Sequence, residues 1–161
     1  MKKILIVLLS LILVICMSSC MFPRLPFNEG TSSGTQQEDE TTVVVMEDVL
    51  FEYEGIRITL TGWLAKGYAG PELKLLIEND TEGDISVTCK NVSINDFMVS
   101  ALIYESLPAG KKSNTQIRFF SSNLEDNGIE TVETIEFQFH IVDHVTYDTI
   151  IDSDIITVTI P

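Results

Sequence analysis

The sequence predicts an all-β domain, an antiparallel β-sandwich, over residues 47–161. Three observations carry this. Apolar residues alternate with polar ones at period two, and the apolar positions favour β-branched and aromatic side chains. Turn-forming clusters break the alternation every roughly 8 to 15 residues, the rhythm of a sandwich. About 115 residues are available, enough for one domain with a core of its own.

The strands follow in order. Ile56-Arg57-Ile58-Thr59-Leu60 alternates cleanly, and so does Leu73-Lys74-Leu75-Leu76-Ile77, with Leu76 the one apolar residue on the outer face. Ile85, Val87 and Cys89 share a face, but Val92 and Ile94 are out of phase with them, which predicts a bulge near Lys90-Asn91. Phe97 to Tyr104 reads as strand with an ambiguous inward face. Ile117-Arg118-Phe119 is a further strand, and Ile135 to Ile141 is the clearest of all. Ile156 to Ile160 closes the chain. Asn79-Asp80 to Gly83-Asp84, Asn95-Asp96 and Pro108-Ala109-Gly110 punctuate these runs as turns. One short helical turn is expected at Ser122 to Gly128, capped by Ser or Asn and ended by Gly128 in the left-handed region.

Four stretches together resemble a known family. They are Gly70-Pro71-Glu72-Leu73-Lys74-Leu75-Leu76-Ile77-Glu78-Asn79, Val92-Ser93-Ile94-Asn95, Pro108-Ala109-Gly110-Lys111-Lys112, and Leu124 to Gly128-Ile129. The family is an uncharacterised immunoglobulin-like domain of Gram-positive lipoproteins and membrane-anchored proteins. The resemblance covers roughly residues 48–160. It implies an immunoglobulin-like sandwich and an envelope location, and it carries no activity with it.

The first residues read as an export signal. Lys2 and Lys3 precede an apolar run, Ile4 to Met17, broken only by Ser10 and followed by Ser18, Ser19 and Cys20. That run is short of the roughly 20 residues that span a bilayer as a helix. Ser18-Ser19-Cys20 resembles the lipobox of bacterial lipoproteins, with Met17 where that family more often has Leu. The resemblance implies a signal peptide over 1–19, lipid attachment at the Cys20 thiol, and a mature chain held on the outer face of the cell membrane. Two or more acyl chains would hold it stably, where one would not. Residues 20–46, acidic and rich in Ser, Thr and Gly, read as a disordered linker.

Composition excludes several functions. Formal charge is −14, and removing Lys2 and Lys3 with the signal takes it to −16. Nucleic-acid binding needs clustered Lys and Arg, and no such stripe exists. Cys89 is the only cysteine after Cys20, so the folded part holds no internal disulfide. It reads as a small buried hydrophobe. No Ser-His-Asp spacing and no glycine-rich strand-to-helix loop is evident, so the domain is expected not to be an enzyme and to need no cofactor.

Three constellations remain. Gly62 to Pro71 reads as a loop carrying Trp63 and Tyr68, which either stack on a sugar ring or peptide, or fold back onto the core and the sheet. Asp148, Asp152 and Asp154, with Asp143, form an acidic cluster that calcium would fit, though solvated strand ends explain it as well. His140 and His144, the only histidines, sit about 13 Å apart if their segment is extended, too far for one metal. The functional expectation is a membrane-anchored, non-catalytic binding or accessory module with a protein or glycan partner in the envelope. The alternative is a structural spacer or assembly factor with no ligand of its own; a small hydrolase is the least favoured.

Overall fold

The computed structural model describes residues 42–161. They form two antiparallel sheets, so the predicted sandwich is the fold. In chain order the elements are β1 (Val43–Tyr53), β2 (Ile56–Leu64), β3 (Glu72–Asn79), β4 (Ile85–Ile94), β5 (Phe97–Met98), β6 (Ala101–Leu102), β7 (Glu105–Leu107), β8 (Lys111–Phe119), α1 (Ser121–Asp126), β9 (Thr134–Asp143), β10 (Thr149–Asp152) and β11 (Ile156–Thr159). One sheet runs β1-β2-β3-β8-β6. The other runs β10-β9-β4-β5, with β11 also pairing β9 and β7 also pairing β4.

Period-two alternation builds the core directly. Ile56, Ile58, Leu60, Leu73, Leu75, Ile77, Ile117 and Phe119 line the first sheet, and all are buried. Ile85, Val87, Ile94, Ile135, Phe137, Phe139 and Ile141 answer them from the second. Each large apolar side chain withdrawn from water contributes roughly 1.5–3 kcal/mol. Phe137 and Phe139 meet edge to face at 5.2 Å and 77°. Phe51 of β1 adds a second edge contact to Phe139 at 6.3 Å.

Two bulges keep these faces in phase. Lys90 pairs Gln138 and Ser93 pairs Glu136, so Asn91 and Val92 together oppose one residue of β9. Asn91 adopts φ 54°, and beyond it Val92 and Ile94 return to the core, as the sequence predicts. In β2, Leu60 pairs Leu75 while Gly62 pairs Lys74, leaving Thr61 as the extra residue. That shift turns Trp63, opposite Leu73, inward.

The first strand was not legible as one. β1 begins at Val43, inside the 20–46 stretch that reads as linker. Its pairing with β2 is irregular between Val45 and Asp48 and between Val49 and Phe51, which erases the period-two signal. Gly62 seats it: a Cβ there would lie 2.9 Å from Val43 Cγ1 and 2.9 Å from Val44 O. The rest of that linker, the 1–19 signal and Cys20 lie outside the described residues. Phe97 to Tyr104 crosses from one sheet to the other through β5 and β6, so it has no constant inward face. Helix α1 forms where expected, but Phe120 occupies its N-cap without a side-chain bond. Asn123 instead accepts the Ser100 N–H. Gly128, at φ 67°, closes the helix through Ile129 N–H to Leu124 O.

Asn79 organises the end of the sandwich opposite α1. It is fully buried at the end of β3. Its amide donates to Gly83 O at 2.9 Å and to Leu107 O at 3.0 Å, while its Oδ1 accepts the Thr81 N–H and hydroxyl. This is the turn chemistry expected at Asn79-Asp80, with the Asn79 amide itself buried. Asn79→Ala strips partners from buried carbonyls and should cost about 2–3 kcal/mol of unfolding free energy in urea titration. A loss below half a kcal/mol would show that the turn holds without it.

Candidate functional site

The structure separates the two aromatic residues of the predicted loop. Trp63 belongs to β2 and is only 4% exposed, its ring 6.4 Å from that of Phe119. The second alternative therefore holds for it: it is a core residue. The signal was present, since Leu60 and Trp63 show the same phase break that marks the β4 bulge. Tyr68 is fully exposed at the tip of the remaining loop. Gly67 and Gly70 exchange backbone hydrogen bonds, and Ser121 N–H donates to Ala69 O, so the loop is seated on the start of α1. Gly70 has φ 141°, and a Cβ there would approach Phe119 O to 2.2 Å, so only glycine fits. Trp63 still contributes an edge to a cleft of about 310 Å³, whose apolar lining includes Pro71, Leu124, Val132 and Ile160, with Lys66 and Glu130 as charged lining.

Glu72 braces this end. It is 5% exposed and holds Arg118 Nε at 3.0 Å on one oxygen and the Lys74 ammonium on the other. Burial raises its carboxyl, but the hydrogen bonds and charges of Lys74 and Arg118 outweigh that and leave it below the ordinary glutamate value.

The histidines fall into separate networks. His140 Nδ1 lies 2.7 Å from Asp152 Oδ1, and Lys90 Nζ lies 2.6 Å from Asp152 Oδ2. Lys90 first, then His140, draws the Asp152 carboxyl below its usual range. The hydroxyls of Ser86 and Ser106 converge on His144 Nδ1 at 2.8 and 3.1 Å. They pin the turn after β9 to β4 and β7. Asp143 Oδ1 accepts the Val145 and Thr146 N–H groups, which build that turn and lower its carboxyl.

The calcium candidates are not brought together. Asp148 precedes β10, Asp152 ends it in its bridge to Lys90 and His140, and Asp154 lies in the following connection. Among the described residues, no three His, Cys, Asp or Glu side chains are grouped to hold a metal ion. Cys89 packs against the core from β4, and burial pushes its thiol up to about 11. A thiol so rarely ionised is a poor nucleophile.

A further feature was hidden with β1. Residues 48–52 of β1 face residues 153–157, the β10–β11 connection and the start of β11, across a groove of about 470 Å³. These are the outermost strands of the two sheets on one flank. Ser153 fixes the far wall: its N–H donates to Phe139 O, and its hydroxyl accepts the Phe139 N–H at 2.9 Å. The run Val49-Leu50-Phe51 with Tyr53 was the available strand signal.

No protein-family model, no curated protein and no solved structure matches the chain. No helix among the described residues is long and apolar enough to cross a membrane.

Two outcomes follow from this geometry. Trp63 emission should be blue-shifted and resist iodide quenching in the native chain, with a red shift on unfolding; water-like emission before unfolding would contradict its burial. Glu72, with its folded pKa depressed, contributes fully above the unfolded value of about 4.3 and loses that contribution as pH falls through its lower folded value. Glu72→Gln should therefore destabilise the domain at neutral pH and flatten the fall in stability as pH drops below the ordinary glutamate range. An unchanged acid limb would exclude this role.

Proposed function

We propose that the chain is a bacterial lipoprotein, anchored through Cys20 on the extracytoplasmic face of the cell membrane, whose β-sandwich is a non-catalytic binding or accessory module. The observation that carries the reading is the order Lys2-Lys3, apolar Ile4 to Met17, then Ser18-Ser19-Cys20, standing ahead of a compact β body that begins at Val43. The all-β architecture supports the resemblance to immunoglobulin-like domains of anchored Gram-positive proteins. The side-chain chemistry favours binding over catalysis. Both imidazoles are engaged in networks that pin strands and turns, and the one thiol of the body is protonated. Surface features suited to a partner are the Tyr68 loop and the open flank of the sandwich.

Cys20→Ser should release the chain from the membrane fraction into the medium or envelope wash, and the wild-type mass should exceed that of the chain from Cys20 onward by at least a diacylglyceryl group. Full membrane retention of the variant would reject the anchor. Pull-down from detergent extracts is expected to recover a stoichiometric partner. Its reproducible absence would favour the spacer reading instead.

A further inference from the structure

We infer that the flank groove between β1 and the β10–β11 connection is a docking site for a short, extended, basic peptide segment that adds as a strand to β1. The inference rests on the binding-module reading above and gives it a place and a ligand class. Among the described residues β1 pairs with β2 on one side only, and its other side presents backbone N–H and C=O groups to the groove. The opposite wall, residues 153–157, is held rigidly on β9 by Ser153 and by the pairing of Ile156 with Phe137. The groove is therefore an already formed slot. Leu50, Phe51 and Ile156 are partly buried against the core beneath it, which provides apolar footing for alternate side chains.

Charge selects the occupant. Asp48, Glu52 and Asp154 line the groove, and no Lys, Arg or His is among its lining residues. Glu52 has only a long 3.9 Å contact to Arg57, and Asp48 and Asp154 have no basic partner among the described residues. The same charges disfavour a second copy of the chain. A second copy of β1 would bring another set of acidic side chains, Glu47, Asp48 and Glu52, against the first, like charge near like. A strand bearing Lys or Arg on one face and apolar residues on the other meets both features of the slot. The register shifts on either side of Asp48-Val49 shorten the regular edge. The matching segment is accordingly short, with about five residues, roughly 17 Å, in contact.

The test uses the full chain in mild detergent and a fluorescent peptide of about nine residues alternating lysine and valine. Two twins accompany it: one with proline for valine, which keeps the charge but cannot pair as a strand, and one with glutamate for lysine. The lysine–valine peptide should bind, with each twin at least about tenfold weaker. Amide exchange should slow in residues 45–52 and 153–157. The exposed double variant Asp48→Lys with Asp154→Lys should reverse the preference toward the glutamate twin, with an unchanged circular dichroism spectrum. Equal binding of the proline twin, protection elsewhere, an unaltered preference in the variant, or no binding would each overturn the proposal. A natural partner still captured by the charge-reversed variant would remove this site while leaving the binding-module reading standing.

Discussion

The sandwich depends on one constraint: two sheets can share a core only if each strand keeps its apolar side inward along its whole length. A slip of one residue in any strand swaps its two faces and sends every later inward side chain to solvent. This chain meets the constraint with inserted residues rather than with unbroken alternation. Thr61 and Asn91 each add one residue against a regular partner strand, and each reverses the phase where the sequence pattern itself reverses. Without the first, Trp63 would face water. Without the second, Val92 and Ile94 would. The aromatic contacts of Phe119, Phe137 and Phe139 then sit in a continuous apolar layer.

Most of this was legible where burial is one-sided. β2, β3, β8 and β9 alternate because one face meets the other sheet and one meets water, and their turns carry Asn, Asp, Gly and Pro where the backbone needs them. The β4 bulge was legible from Val92 and Ile94; the β2 bulge carried the same signature in Leu60 and Trp63 but was masked by the glycines around the following loop. β1 was not legible, because an edge strand twice out of register with its neighbour has no period to read. β5 and β6 pass between sheets and so have no single inward side. The candidate sites were read less well for a related reason. Whether an aromatic on a glycine-rich stretch is core or loop depends on phase, which Trp63 and Tyr68 answer differently. The groove could not be found before β1 was.

Electrostatics divides the molecule by role. Three carboxylates are matched by basic groups: buried Glu72 by Arg118 and Lys74, half-buried Glu78 by Lys112, and exposed Asp152 by Lys90 and His140. These pairs tie strands together within each sheet. Most of the acidic excess that remains lies on exposed strands and turns. There it favours solubility and resists edge-to-edge self-association.

The lone thiol of the body has a consequence for its lifetime. Cys89 packs against the core on a central strand, between β7 and β5 on one side and β9 on the other, and its proton is held to about pH 11. Outside a reducing cytosol an odd sulfur ordinarily invites mixed disulfides and covalent dimers. Here the sulfur is half-buried and its thiol stays almost wholly protonated at neutral pH, so the thiolate, the form that reacts with oxidants and disulfides, is scarce. Slow oxidation thus follows from the scarcity of thiolate rather than from a closed door, and the strand keeps an odd sulfur at little risk of covalent dimers.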